Sequence, residues 1–414
     1  MNFSVAVPPN AQNHGDPGLI CLPPVWTDYF IFFATNYIAH AATLITHPGE
    51  SLQETLIATA NALFIPGSGA LRAFRFLVLY LSPRLTRIER RTTPLGQAAR
   101  AGALCMVVDE RIISDAMQET EGTPRFFFGE NIREVPRDRT IYGVCKFPEP
   151  GPRVPKYRLV EVPPNMPLRP WETHALSAAA GALDSDSSDT EPVPVEMQLS
   201  KNYNIPKILI SILQILWGIV TLYKTRGNQI ALYGCGAFGL TVAPYAIMSI
   251  INLATNLLRP EYATMYLVHS PEMGEAALHE GAEFRGIVAS LDDNRTYAED
   301  FTGALNIQSD NLLYFIFNLL GYLVIAILPI AIVGGYTHFQ SGSNVKIQIS
   351  WIIGWLIIGC VSTLWVRISA VYAATVHPLW EVVLVIPLWI PAIGGFVVVA
   401  EMLKDFGICT SFDR

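Results

Sequence analysis

Six stretches of this sequence are long, apolar and nearly free of charge, and they fix the medium in which the chain folds. The plainest is 311–333, NLLYFIFNLLGYLVIAILPIAIV, with no charged side chain in 23 positions. About 20 apolar residues in a helix cover the hydrocarbon core of a bilayer. A helix also satisfies its own backbone amides there, where no water can. The other windows are 29–46, 205–223, 229–258, 347–372 and 379–402. Only 15% of the 414 residues are charged, against about 25% in soluble domains, and the deficit lies in these windows. The expected fold class is an all-α transmembrane bundle of about six helices, with a small α+β soluble region after the first span. The bilayer is the first partner this implies. The net charge of −7 gives no general attraction for nucleic acid, and none is expected as a partner.

The segment 48–91 is apolar but carries arginines in its middle. Arg72 and Arg75 sit within 55–81, and PGSG at 66–69 interrupts it. An arginine at mid-membrane costs about 2.5–3.5 kcal/mol on insertion scales. The segment therefore reads as helices lying at the interface, with Arg72, Arg75, Arg84, Arg87, Arg90 and Arg91 against lipid headgroups, anionic ones included; the alternative is a buried hairpin of the soluble region. The same arginines favour the cytosolic side. That rule places 1–28 outside, 48–204 inside and the tail 403–414 outside.

Two polar regions read as folded. In 92–171, LCMVV (104–108), TIYGVCKF (140–147) and KYRLVEV (156–162) have the β-branched and aromatic content of strands. In 259–310, ATMYLVHS, PEMGEAALHEGAEF and RGIVASL read as a strand–helix–strand insert. The run DDNRTYAED (292–300) lacks the glycine and terminal glutamate of a calcium loop and reads as a solvated turn. The linker 172–204 contains SDSSDTEPVPVE and reads as disordered. Its acidic part, 172–200, is the place to expect protein partners. Six cysteines, at 21, 105, 145, 235, 360 and 409, form no CxxC pair. Spacing leaves a Cys105–Cys145 disulfide open.

Polar groups inside spans are the functional signal in such a chain. In the first span Asn36, His40, Thr43 and His47 recur at i, i+4, i+7 and i+11, one face of a helix. Asn252 and Asn256 repeat that spacing in the third span, and Arg367 lies in the fifth. These seven residues form the candidate intramembrane site. Pro244 is expected to kink the third span, and Pro387 and Pro391 to break the sixth. His377 and Glu381 are the one close His–acid pair near a helix end. No motif points to catalytic residues, a cofactor or a metal.

The segments TDYFIFFATNYIAHAATLITHPGE (27–50), QAARAGALCMVV (97–108) and EYATMYLVHSPEMGEAALHEGAEFRGIVASL (261–291) resemble a group of multi-pass membrane proteins from filamentous ascomycete fungi. The resemblance implies a fungal origin and an integral membrane protein. It carries no activity and no site residues. Three functions stay open: a membrane-embedded interaction or signalling protein, first on the size of the soluble region; a transporter or channel using a polar path through the first, third and fifth spans; and, behind both, an enzyme acting on a lipid or isoprenoid.

Overall fold

The computed structural model describes residues 8–14, 18–85, 93–112, 133–136, 138–147, 156–164, 166–171, 199–225, 228–291, 312–343, 346–373 and 379–411. Side chains of 82–85, 312–315, 346, 363–373, 379–385 and 411 lie outside the description. So do Arg87, Arg90, Arg91, His377, the linker 172–198 and the turn 292–300.

Strand β1 (Leu19–Leu22) leads into helix α1 (26–42), whose centre, Ala34–Ile38, widens into a π-helical turn. Helices α2 (Leu52–Phe64) and α3 (Pro66–Leu85) follow, then α4 (Pro94–Arg100) and strands β2 (Leu104–Asp109), β3 (Val144–Lys146), β4 (Tyr157–Glu161), β5 (Leu168–Pro170) and β6 (Lys201–Asn202). Next come α5 (Ile205–Lys224), α6 (Asn228–Tyr233), two 3₁₀ turns (Gly234–Gly236, Phe238–Val242) and α7 (Ala243–Leu258). After β7 (Glu261–Tyr262), the unit β8 (Tyr266–His269), α8 (Pro271–Glu280), β9 (Glu283–Arg285) and β10 (Ile287–Leu291) precedes α9 (Leu312–Thr337), α10 (Lys346–Ala373), α11 (Leu379–Phe406) and β11 (Ile408–Ser411).

Among the described residues, four helical stretches are long and apolar enough to cross a membrane: Ile205–Lys224, Phe238–Leu258, Ile316–Thr337 and Ile386–Phe406. Ile347–Ser362 is apolar but shorter. Helix α5 shows what surrounds them. Its buried side carries Ser211, Gln214, Gly218 and Leu222, while Leu209, Leu213, Leu216 and Trp217 are exposed. A helix in water buries its apolar face. This one does the reverse, as a helix does when its surroundings are as apolar as its side chains and small or polar residues hold it to its neighbours. Helix α7 lies at the centre of the bundle, and Tyr37, Tyr245, Trp355 and Phe396 pack there with ring centroids 4.7–6.2 Å apart.

Helices α2 and α3 lie in the segment 48–91, read from the sequence as interfacial, and both pack on the bundle. They form a hairpin that enters the bundle from the soluble side and returns to it. The start of α2 touches the soluble domain, with Ser51 Oγ 3.0 Å from Asp138 Oδ2 and Arg139 Nη2 3.2 Å from Glu54 Oε2. The hairpin tip lies beside the first turn of α7 and inner turns of α10 and α11. Pro66 explains the break: it supplies no N–H, and it turns the preceding residue, Ile65, out of helical geometry (φ −129°, ψ 78°). The carbonyls thus exposed are capped from other helices. Tyr245 Oη donates to Leu63 O, and Trp355 Nε1 to Phe64 O at 3.2 Å. Trp389 Nε1 bonds Asn61 Oδ1 at 3.1 Å. These donors satisfy the backbone groups that the break leaves open.

The returning helix α3 is a core element, with Ala70, Ala73, Phe74, Phe76 and Val78 buried. Arg72 is held within the protein: it pairs with Glu50 and donates from Nε to Ile45 O at 2.7 Å. Arg75 is half-buried on the same helix.

The third span is corrected. Residues 229–258 are not one kinked helix, because α6 ends at Tyr233 and the chain turns tightly through 234–242. Gly234 takes φ +55° with its Cα against the backbone of 340–342, an approach that leaves no room for a side chain. Pro244 falls in the first turn of α7, where it disturbs nothing.

The two soluble segments, expected as separate units, share one sheet of order β4-β2-β8-β10-β5. Strands β2, β8 and β10 are parallel, and β4 and β5 pair antiparallel at the edges. Helix α8 makes the crossover from β8 to β10, as a parallel pair requires. It ends on Gly281 at φ +68°, a left-handed cap. Leu104, Met106 and Val108 pack on one face, and Cys105 and Val107 on the other. Cys105 and Cys145 are free thiols, so that disulfide is not formed. Instead β1 pairs with β11, and Cys21 is bonded to Cys409 across 388 residues.

Candidate functional site

The candidate site is the contact between α1, α5 and α7. Each of these helices turns polar residues toward the others. Asn36, His40 and Thr43 of α1 and its C-cap are buried, as the spacing predicts. Asn36 Nδ2 donates to Phe32 O (2.9 Å), the carbonyl of a turn widened by the π-helical stretch. Its Oδ1 accepts from Thr221 Oγ1 of α5 at 3.0 Å. One residue on, Tyr37 Oη lies 2.6 Å from Thr241 Oγ1.

A turn deeper, His40 Nδ1 lies 2.6 Å from Ser249 Oγ. Ser249 Oγ donates to Gln214 Oε1 at 3.1 Å, and Thr43 Oγ1 approaches the same oxygen at 3.3 Å. Gln214 Nε2 donates 2.5 Å to Ala39 O. One glutamine of α5 thus holds both other helices.

The next level is polar but unpaired. Helices α5 and α7 run antiparallel, with Gln214 bonded to Ser249 and Gly218 against Ala246. That register sets Ser211 level with Asn252. Both are fully buried. Among the described residues, Ser211 Oγ, both amide atoms of Asn252, Asn256 Nδ2 and His40 Nε2 have no hydrogen-bond partner. Each such buried atom costs about 1–3 kcal/mol if it stays unsatisfied.

The seam ends at the soluble domain in a charged cluster. Glu261 accepts from Thr46 Oγ1 (2.6 Å), Asn204 Nδ2 (2.9 Å) and Lys207 Nζ (2.8 Å). Burial opposes the charge of Glu261, but Lys207 and these hydrogen bonds hold its carboxyl below the usual range. Arg259, at the C-terminal cap of α7, donates to Ala101 O at 2.5 Å and lies 3.9 Å over the Phe76 ring. Burial brings its guanidinium down to about 10.

His47 departs from the expected face. Helix α1 stops at Ala42, so His47 lies in the loop after it, against the edge of Phe76 (4.6 Å). Burial and the positive charges of Arg72, Arg133, Arg139 and Arg259 hold its imidazole well below its ordinary range. It is a neutral packing residue and not part of the seam. Arg367 lies on α10, and its side chain is outside the described residues, as are those of Arg84 and Glu381.

Sequence reasoning missed Ser211, Gln214, Thr221, Thr241 and Ser249. Each is a single polar residue in an apolar run, and only the assembled bundle shows that they face α1. The seam is closely packed. A shallow groove elsewhere, of about 340 Å³, is lined by Ile347, Ser350, Trp351, Gly354 and Pro391. The unpartnered polar atoms of the seam are groups that a proton or a single water could bond. Among the described residues, one His/Cys/acid group has metal-ligand spacing: His14, Cys21 and Cys409, with ligand atoms within 4.8 Å. Its two sulfurs are joined to each other and offer no thiolates.

The soluble domain holds one further perturbed group. Glu272, in the first turn of α8, is buried with Oε2 unpartnered among the described residues. Burial raises its carboxyl to about 7, against the pull of its own backbone amide and the Ser270 hydroxyl. No known protein family, curated protein or solved structure matches this chain.

Proposed function

We propose that this chain is a multi-pass membrane protein that moves a small polar species along the seam between α1, α5 and α7. The observation that carries this reading is the set of fully buried, unpartnered polar atoms on Ser211, Asn252 and His40. A bundle needing only adhesion has no use for them, since each is a cost without a partner. Water or a passing solute supplies the partner. In this reading α1, α5, the 238–258 segment, α9, α10 and α11 cross the bilayer, and α2–α3 is a re-entrant hairpin.

Orientation follows from sulfur chemistry. A disulfide joins β1 to β11, while Cys105 and Cys145 of the sheet domain stay reduced. Disulfides persist in oxidising compartments and are rare in the cytosol. The two chain ends therefore face outward or into a lumen, and the sheet domain faces the cytosol. An interaction role through 172–200 rests on a segment of which 172–198 lie outside the described residues, and it is the weaker reading.

The test is access. Ser211→Cys and Asn252→Cys are introduced singly into protein in which the four free cysteines are replaced, and silver ion, thiol-reactive and small enough for a path of single waters, is applied to reconstituted vesicles. Both positions react if the seam opens to water, and the lipid-facing control Leu213→Cys does not. Absence of reaction at both positions from either side of the membrane refutes a polar path.

A further inference from the structure

The seam holds one histidine, and it sits at the centre. His40 is fully buried. Its Nδ1 is bound to Ser249 Oγ at 2.6 Å. Its Nε2 has no hydrogen-bond partner among the described residues. The groups around the ring are uncharged. Ser249 and Tyr245 come from α7, the Tyr245 ring centroid being 6.2 Å away, and Gly218 comes from α5. Gln214 fixes the Ser249 hydroxyl from behind.

This geometry separates the proton from other small polar species. A metal cation needs several oxygens at once, and a larger solute needs a cavity. A proton needs neither. It needs hydrogen-bonded groups, a titratable group with two usable faces, and single waters at the gaps. His40 supplies the faces. Ser211 and Asn252, one turn further along α5 and α7, supply polar atoms for such a water. Toward the other end, Asn36–Thr221 and Tyr37–Thr241 extend the polar contacts.

Resting on the reading of the seam as a path, we propose that the species carried is the proton and that His40 is its relay. In each passage a hydronium gives its proton to Nε2, leaving water, and the ring becomes the imidazolium with its Nδ1–H held by Ser249 Oγ. The ring then turns about its side-chain bonds, gives the Nε2 proton to a water held by Ser211 and Asn252, and turns back neutral with Nδ1 still protonated. One proton enters, one leaves, and nothing is oxidised or reduced.

The experiment uses the full chain in proteoliposomes containing a trapped pH dye, with a potassium gradient and valinomycin to set the potential. The wild type acidifies the lumen on valinomycin addition, and His40→Gln brings the rate to that of protein-free vesicles. Leu213→Ala, on the lipid-facing side, keeps the wild-type rate. If His40→Gln is not monodisperse, Ser249→Ala takes its place and slows the flux. Undiminished flux in a folded His40→Gln protein overturns the relay. An absence of wild-type flux while Ser211→Cys and Asn252→Cys still label overturns the proton and leaves the path. An absence of both flux and labelling removes the two readings together.

Discussion

Gly321 tests whether α3 is a core helix. It lies on α9, where a Cβ would fall inside the Phe74 ring of α3. Phe74 has nowhere to go, being 6% exposed and stacked on Phe317 with centroids 5.6 Å apart. Gly335 lies on the same helix, and nothing comes within 4 Å of the point where a Cβ would stand. Both substitutions to alanine gain the same helix propensity, about 1 kcal/mol. The difference between them is then the overpacking cost alone, about 1–3 kcal/mol. At about 2–4 °C per kcal/mol, Gly321→Ala should melt several degrees below Gly335→Ala. The assay is thermal unfolding of detergent-solubilised protein followed by intrinsic fluorescence. Equal melting temperatures would refute the placement of α3 against α9 and return 48–91 to the membrane surface.

Other outcomes follow from the same structure. Tyr245→Phe and Trp355→Phe each remove a donor to the hairpin tip and should each cost about 1–3 kcal/mol, read as a lower melting temperature; wild-type stability in both would mean the tip is solvated by water. Glu272 has a folded pKa of about 7 against 4.5 for the free group. Its contribution is therefore present in full below pH 4.5 and is lost as pH rises through about 7. Denaturant unfolding of the full chain should lose stability across that window, and Glu272→Gln should flatten the dependence. Replacing Cys21 and Cys409 by serine should cost about 2–4 kcal/mol. In the wild type, thiol labelling at these two positions should require a reductant applied from the side of the chain ends.

What the sequence reveals here follows from how local each signal is. The apolar runs at 205–223, 311–333 and 379–402 are legible because crossing a bilayer is a demand on composition over about 20 residues. The strands at 104–108 and 156–162 are legible because β-branched content is local too. Their joining into one sheet is not: β2 pairs with β8 across about 160 residues through Leu104 and Tyr266, and parallel pairing leaves no turn to find. The α2–α3 hairpin is hidden by its own arginine. Arg72 argues against burial until Glu50 and Ile45 O are seen beside it. In the seam, the spacing of Asn36, His40 and Thr43 is visible, but their partners Gln214 and Ser249 are isolated polar residues with no pattern. Thr43 marks where the helical spacing stops, and continuing it one turn further is what misplaces His47.

Everything proposed for the seam requires its buried polar atoms to be wet. A high-resolution electron cryomicroscopy map of the protein in lipid nanodiscs tests this directly. Ordered water density is expected within hydrogen-bonding distance of Ser211 Oγ and the Asn252 amide, with a further water at His40 Nε2. A dry seam in which Asn252, Ser211 and His40 have turned to bond one another would contradict it, and the polar stripe would then be only the adhesive between α1, α5 and α7.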